Sequence, residues 1–313
     1  MKFIKDYRDG DRVFDIYLCK HKISAVTKNG KPYETATLQD KTGTIEAKIW
    51  DPNSMGIADF DAMDYVEVYG DVTSFNGALQ INVKRTRVAQ PGDYDARNYL
   101  PVSSKDIDEM FAEVTAYIKG IGNTYLRTMC EKLFLENAAF QKAFKESSAA
   151  KSVHHGFIGG LLEHTLSVTK MCDYYCTRYE KLNKDLLITA ALCHDIGKTK
   201  ELSAFPLNDY TDDGNFLGHI VMGTEMVGDV IREIDGFPVK LASQLKHCIL
   251  SHHGELEFGS PKKPAIMEAV ALNFADNTDA KLQTFTEILE STTEKGWMGY
   301  NRLLESNIIA TEV

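Results

Sequence analysis

The sequence has no long apolar run and no apolar N-terminal segment. Its longest stretches without a charged residue or histidine fall far short of the roughly 18 residues that cross a bilayer. The first 20 residues are rich in lysine, arginine and aspartate, so neither a signal peptide nor a membrane anchor is expected. The six cysteines form no C-x-x-C pair, and reduced, buried thiols in a cytoplasmic protein are the simplest account of them.

An excess of positive charge is also absent. The net charge is −10 and the isoelectric point is near 5.4, which argues against a protein that coats DNA non-specifically. The first hundred residues are nearly balanced in charge, and the remainder supplies most of the acidity. A local basic groove for a polyanion is therefore expected in the first part of the chain. The length of 313 residues predicts two domains rather than one.

The N-terminal part alternates apolar and polar residues as strands do. Ile45, Ala47 and Ile49, for example, would share one face of a strand. Turn signals separate the segments, among them Asn76-Gly77, which favours a type I′ hairpin. The predicted strands are Phe14–Ile23, Tyr33–Leu38, Thr44–Trp50, Tyr65–Tyr69 and Ala78–Val83. Short strands with tight turns predict a small barrel or sandwich.

The rest of the chain has helical periodicity. A polar segment with Pro91-Gly92 and then Pro101 predicts a linker before it. The predicted helices are 104–119, 123–135, 137–146, 158–179, 184–195, 218–233, 238–251, 264–278 and 280–292. We therefore expect a multidomain protein of the β plus all-α class, with a β domain at 1–90, a linker at 91–103, a helical connector at 104–150 and an all-α domain at 151–313.

All histidines but one lie in this helical part. Helical spacing turns His164, His194, Asp195 and Asp276 toward a shared interior. A single such histidine is most often a hydrogen-bonded core residue. A buried carboxylate, however, costs several kcal/mol unless it is paired or binds a cation. Two acids and several imidazoles on inward faces therefore favour a metal site.

Three motifs carry a resemblance to a known superfamily. They are Leu162-Glu163-His164-Thr165, Cys193-His194-Asp195-Ile196-Gly197-Lys198 and Ala275-Asp276. Their order and spacing resemble the H…HD…D signature of HD-domain metal-dependent phosphohydrolases, over about 150–285. The resemblance implies that His164, His194, Asp195 and Asp276 bind one divalent metal, with Asp279 as a rival to Asp276.

Three further histidines match the two-metal members of that superfamily. His219, His252 and His253 would then hold a second ion, and Asp195 would bridge the two. In the alternative, His219 caps a helix and one histidine of the pair faces solvent. Imidazole and carboxylate ligands suit manganese, the favoured metal, or iron, cobalt, nickel and zinc better than magnesium alone.

The expected chemistry is phosphodiester hydrolysis, in which divalent cations generate the nucleophile and neutralise the phosphoryl oxygens. Asp195 and Lys198 are the candidate catalytic residues, with Lys198 contacting a phosphate oxygen unless it is a solvated lysine at a helix end. His154 and His155 precede the first ligand helix and either bind a phosphate or cap that helix.

The β domain resembles nucleic-acid-binding OB-folds through Leu38–Trp50 and Val66–Val72. Its aromatic residues are candidate stacking platforms for bases unless they fill the barrel core. Its basic residues are candidate phosphate contacts unless they form a solvated face. The aromatic candidates are Tyr33, Trp50, Tyr69 and Phe75, and the basic candidates are Lys48, Lys84 and Arg85.

This domain order, with the runs at 159–165 and 252–254, resembles the YhaM family of 3′→5′ exoribonucleases. The resemblance implies a manganese-stimulated enzyme that trims single-stranded RNA and single-stranded DNA to 5′ mononucleotides. The connector would then pack within the chain or mediate contacts in a homo-oligomer. Two alternatives stay open: an HD phosphohydrolase acting on a small nucleotide, and a non-catalytic protein that binds single strands or replication origins.

Overall fold

The computed structural model describes residues 2–151, 155–291 and 296–311. The chain divides into two compact units, Met1–Pro101 and Val102–Val313. None of the helices in these described ranges combines the length and apolar character of a transmembrane span.

The first unit is a closed five-stranded barrel. Its strands are β1 (Arg12–Val26), β2 (Pro32–Asp40), β3 (Gly43–Ile49), β4 (Tyr65–Phe75) and β5 (Ala78–Val88). They pair in the order β1-β2-β3-β5-β4, with β4 returning to β1, and all pairs are antiparallel except β3 with β5. This is the Greek-key barrel of an OB-fold, which confirms the predicted fold class.

Apolar and polar residues alternate along the barrel strands as predicted. Ile45, Ala47 and Ile49 are buried in its core, and the residues between them point outward. Asn76 and Gly77 have φ values of 49° and 81°, so the hairpin between β4 and β5 is the left-handed turn that this pair favours.

The segment predicted as a linker is placed differently, because residues 91–101 belong to the first unit. The ring of Tyr94 stacks on Tyr65 of β4, with 3.7 Å between centroids. The carbonyl of Tyr99 accepts a hydrogen bond from Gln39 at 2.9 Å. Aromatic packing therefore attaches to the barrel a segment that its polar composition predicted to be a linker.

The second unit is helical. Its helices are α1 (Ile107–Gly120), α2 (Thr124–Cys130), α3 (Ala138–Glu146), α4 (Gly160–Arg178), α5 (Lys184–Cys193), α6 (Lys198–Glu201), α7 (Asp212–Arg232), α8 (Val239–Leu250) and α9 (Met267–Ser291). A short antiparallel hairpin, β6 (Trp297–Asn301) with β7 (Ser306–Ile309), follows α9 and was not predicted.

One hydrophobic core joins α1–α3 to the later helices. Phe134 and Phe144 from the predicted connector are fully buried in the same cluster as Leu161 of α4 and Leu187 of α5. The connector is thus part of the helical unit. The predicted break between 278 and 280 is wrong, since α9 runs through it without interruption.

Candidate metal centre and barrel surface

The helical unit brings the seven predicted ligand residues together. His164 lies on α4 and Asp276 on α9, while His194 and Asp195 directly follow α5. His219 lies within α7, and the pair His252-His253 directly follows α8. The side chains of Asp195, His164, His194 and His252 are almost fully buried.

Five imidazole rings share one orientation. In each, Nδ1 faces a protein oxygen. Three of these oxygens are backbone carbonyls, which only accept hydrogen bonds, and two belong to carboxylates, which only accept when ionised. The pairs are His164 with Asp279 Oδ2 at 2.6 Å, His194 with the Ala191 carbonyl at 2.8 Å, His219 with Glu201 Oε1 at 2.9 Å, His252 with the Ile249 carbonyl at 2.7 Å and His253 with the Phe258 carbonyl at 2.8 Å. Nδ1 therefore donates, and the Nε2 lone pair is left for the interior, as in metal-ligating histidines.

The first group of donor atoms surrounds one oxygen of Asp195. His164 Nε2 lies 3.2 Å from His194 Nε2 and 3.1 Å from Asp276 Oδ1. The two imidazole nitrogens lie 3.4 and 3.5 Å from Asp195 Oδ2. Ligands of a common ion, each about 2.1 Å from it, lie roughly 3 to 3.5 Å apart, so this spacing fits a single cation.

The second group surrounds the other oxygen of the same carboxylate. His219 Nε2 and His252 Nε2 lie 3.4 and 3.5 Å from Asp195 Oδ1. Nitrogens of His219, His252 and His253 all lie within 4.8 Å of one another. Asp195 thus stands between two sets of nitrogen donors, one at each oxygen.

Several of these atoms are buried without a hydrogen-bond partner among the described residues. They are Oδ1 of Asp195 and the Nε2 atoms of His219 and His252, whereas the other carboxylate oxygen, Oδ2, faces the Lys198 ammonium. Unsatisfied buried groups of this kind cost free energy, and nitrogen and carboxylate donors are the ligands that first-row divalent metals prefer. The residues present therefore fit the binding of divalent metal around Asp195.

The electrostatics of the rings agree with this arrangement. Burial lowers the pKa of His194 to about 4, so that ring is a neutral nitrogen donor. Burial also opposes the charged form of His164, but hydrogen bonds to Asp195, Asp276 and Asp279 outweigh it and raise its pKa well above the ordinary value. The carboxylates around His164 create a negative electrostatic potential, which favours either a proton or a metal cation at this position.

Two glycines allow His219 to reach the centre. A Cβ on Gly197 would lie 2.0 Å from the His219 carbonyl oxygen, so a larger residue would push α7 away. Gly218 interrupts α7 with φ 72° and ψ 157°, and His219 begins the part of α7 that follows. The ring of His219 faces Asp195, with Nε2 3.4 Å from Oδ1, so its position agrees with the predicted ligand role.

Lys198 lies against the same carboxylate. Its ammonium is 2.7 Å from Asp195 Oδ2 as an ion pair, and its side chain is only 13% exposed, so it is not a solvated lysine. Burial opposes its charge, but Asp195 outweighs this effect and raises the pKa of Lys198.

Of the two predicted phosphate-binding histidines, the structure describes only His155. His155 is buried behind His164, with Nε2 3.1 Å from Asp279 Oδ2, and so does not offer its ring to a substrate. His154 lies outside the described residues.

The barrel carries exposed aromatic rings. Trp50 is 52% exposed and stacks on Tyr33 with 5.5 Å between centroids, while Lys48 lies 5.9 Å from the Tyr33 ring. Trp50 also donates a hydrogen bond to Asn82 at 3.1 Å. The alternative that Trp50 fills the barrel core is therefore wrong.

A second aromatic pair lies on β1 and β4. Tyr69 is 38% exposed and contacts Phe14, which is 70% exposed and was not singled out in the sequence. They line a groove of about 750 Å³ together with Arg85, for which the described residues offer no ion-pair partner, and Lys84, which pairs with Asp71. Phe75, at the end of β4, is 62% exposed.

Comparison with known proteins places these features in a family. Residues 161–281 match the HD domain. The chain is 34% identical to 3′-5′ exoribonuclease YhaM of Listeria innocua over 93% of this chain and 92% of that protein. It is also 34% identical to the protein of the same name from a Geobacillus species, over 92% of this chain and 88% of that one.

Among solved structures, the second OB-fold domain of replication protein A from Methanococcus maripaludis overlaps 28% of this chain and 92% of its own length. The identity is 20% and the TM-score is 0.22. Family membership follows from the sequence relatives, which cover nearly the whole chain. The chain belongs to the YhaM family of 3′-5′ exoribonucleases.

Proposed function

We propose that this protein is a divalent-metal-dependent 3′→5′ exonuclease that hydrolyses single-stranded RNA to 5′ mononucleotides, with single-stranded DNA as a second substrate. The names of the two relatives support the direction and the RNA substrate. The observation that carries the metal dependence is the Asp195 carboxylate, whose two buried oxygens each face imidazole nitrogens, while the Lys198 ammonium pairs with Oδ2.

The donor atoms divide between two ions. The proposed ligands of the first are His164, His194, Asp195 and Asp276, and those of the second are His219, His252, His253 and the shared Asp195. When bound, a pair of divalent cations lowers the pKa of water to near neutrality and neutralises the phosphoryl oxygens of a phosphodiester. The nitrogen-rich donor set favours manganese or another first-row transition metal over magnesium.

Asp195 and Lys198 are the proposed catalytic residues. Asp195 supplies the shared anionic ligand, and its fixed carboxylate sets the distance between the two donor groups. Lys198 places a positive charge beside that carboxylate, where it contacts a non-bridging or leaving oxygen of the scissile phosphate. A charge already held in place by an ion pair needs little reorganisation when the phosphate arrives.

The barrel is the proposed grip on the single strand. Bases stack on exposed aromatic rings with little regard to sequence, and lysine and arginine follow the phosphates. The proposed platforms are Tyr33, Trp50, Tyr69 and Phe75, and the proposed phosphate contacts are Lys48, Lys84 and Arg85. Phe14 joins this set because it is exposed beside Tyr69.

Product analysis tests the proposal. Purified protein with Mn²⁺ and 5′-labelled single-stranded RNA should give a ladder shortened from the 3′ end and release 5′ mononucleotides. A covalently closed circle of the same RNA should survive, because an exonuclease needs a free end.

The other outcomes correspond to the alternatives. Turnover of free nucleotides with the RNA left intact would indicate a small-nucleotide phosphohydrolase, and gel retention without cleavage would indicate a binding protein. Cleavage of the circle would contradict the exonucleolytic mode.

A further inference from the structure

Glu201 contacts His219 at two points. Its Oε1 accepts a hydrogen bond from the backbone N–H of His219 at 3.0 Å and lies 2.9 Å from ring Nδ1. Both side chains are largely buried, at 11% and 12% exposure. Glu201 is the last residue of the short helix α6, and no sequence motif pointed to it.

The contact fixes which ring nitrogen carries the proton. Oε1 of Glu201 already accepts the hydrogen bond from the backbone N–H of His219, so this oxygen is an acceptor. Ring Nδ1 lies 2.9 Å from the same oxygen and is therefore the nitrogen that donates. The lone pair is then on Nε2, which faces Asp195 Oδ1 at 3.4 Å.

The backbone contact replaces a helical hydrogen bond. Because Gly218 interrupts α7, the N–H of His219 has no helical acceptor before it, and Glu201 supplies one. A negative charge at this position also suits the positive end of the helix that restarts there. Glu201 therefore accepts hydrogen bonds both from the first residue of the restarted helix and from its imidazole ring.

Glu201 is itself held rigidly. Its carbonyl oxygen accepts a hydrogen bond from the backbone N–H of Thr211 at 2.9 Å. A Cβ on Gly214 would lie 2.3 Å from the same oxygen, so α7 packs directly on the Glu201 backbone. The carboxylate is therefore presented from a fixed position.

His219 differs from His194, His252 and His253 in what orients its ring. His194, His252 and His253 donate Nδ1 to backbone carbonyls three to five residues away, so the local backbone orients them. His219 relies on a side chain 18 residues earlier in the sequence. A single substitution at Glu201 can therefore release this ring alone.

We propose that Glu201 is a positioning residue that holds His219 as the Nδ1–H tautomer with Nε2 toward Asp195, and thereby determines whether the second ion binds. The effect on the second ion rests on the proposed function. The tautomer of His219 is a property of the metal-free chain and does not depend on that function.

Metal content tests the first statement. The variants are Glu201→Gln, which removes the charge, and Glu201→Asp, which keeps the charge but withdraws it from the ring. Glu268→Gln is the matched control, because Glu268 is equally buried and accepts a backbone N–H from Asn183 at 2.7 Å without touching a histidine. After loading with Mn²⁺, elemental analysis should give two ions per chain for the wild type and the control, and one for Glu201→Gln. Binding of the second ion should weaken by about 10 to 100-fold.

Histidine tautomers test the second statement. Nitrogen NMR of the metal-free protein labelled with ¹⁵N-histidine should show His219 protonated at Nδ1 in the wild type and in Glu268→Gln, and a mixture of tautomers in Glu201→Gln. The His219→Asn spectrum assigns the signal, and melting temperatures of the metal-free proteins report folding. If Glu201→Gln does not fold, the wild-type spectrum and Glu201→Asp still decide.

Each outcome separates the two proposals. One ion in the wild type would contradict the two-ion centre, while the tautomer would still test Glu201. Two ions in both the wild type and Glu201→Gln with unchanged affinity would overturn the role of Glu201. A wild-type His219 protonated at Nε2 would overturn it as well.

Discussion

Asp279 lies 2.6 Å from Nδ1 of His164 and holds that ring from behind. Asp276, one turn earlier on α9, faces the opposite ring nitrogen at 3.1 Å. Ser167 donates a further hydrogen bond to Oδ1 of Asp279, and His155 Nε2 lies 3.1 Å from the same Oδ2 that faces His164. Two acids that compete for one role in the sequence therefore differ in position: Asp276 faces the donor atoms around Asp195, and Asp279 lies behind His164. We expect Asp276 to be a ligand and Asp279 to orient one.

These roles predict different effects of the same substitution. Asp276→Asn should lower metal content and leave little activity, because it removes an anionic donor. Asp279→Asn should weaken metal affinity by about 10 to 100-fold, with activity recovering at high Mn²⁺, because the ring keeps its donor nitrogen but loses its support. A titration of activity against Mn²⁺ measures both. Identical behaviour of the two variants would contradict the assignment.

Asp195→Asn should abolish hydrolysis and leave the helical fold intact. An amide cannot supply an anionic ligand to two positions, so metal content should fall together with the rate. Circular dichroism and elemental analysis measure fold and metal. Asp108→Asn is the control, since the Asp108 side chain is 88% exposed. Wild-type activity in Asp195→Asn would refute the proposed centre.

His219→Ala should reduce the metal content from two ions to one and lower the rate by orders of magnitude without eliminating it. His164, His194, Asp195 and Asp276 would still hold the first ion. His247→Ala is the control, because His247 accepts a hydrogen bond from the Ala265 backbone N–H and does not join the centre.

Elemental analysis beside the rate decides the outcome for His219. One ion per chain in the wild type, unchanged in His219→Ala, would mean that the centre is mononuclear and that this histidine is structural.

Trp50→Ala should weaken binding of single-stranded RNA by about 1–3 kcal/mol, the contribution of one stacked base. Hydrolysis of a dinucleotide should keep its kcat, since Trp50 belongs to the barrel and not to the metal centre. Fluorescence anisotropy with labelled RNA measures binding. Tyr174→Ala is the control, because Tyr174 is an exposed aromatic residue of the helical unit. Equal RNA affinity in Trp50→Ala and the wild type would remove Trp50 from the proposed grip.

Sequence patterns predicted the barrel well. Alternation in β3 and the Asn76-Gly77 turn depend on neighbouring residues, so they can be recognised without knowledge of the fold. The break predicted near 279 failed because the polar residues there resemble a loop. In the structure two of them, Asp276 and Asp279, instead face the histidine cluster from one continuous helix.

The exposure of the aromatic side chains on the barrel could not be predicted from the sequence either. Trp50 ends a strand whose apolar residues are buried, so its composition alone fits the core as well as the surface. Its position just beyond β3, stacked on Tyr33, leaves it half exposed. Phe14 is a large apolar residue between Val13 and Asp15 of β1, and its outward register leaves it 70% exposed.

The sequence by itself determined the class of each unit and the candidates for the ligands, because strand alternation, helical period and the spacing of His194 and Asp195 are local properties of the chain. Tertiary structure alone decided which oxygen of Asp195 faces which histidines, and that Glu201 and Asp279 contact two of the rings. Those contacts join residues on separate helices, and their geometry is fixed by helix packing, which no local pattern encodes.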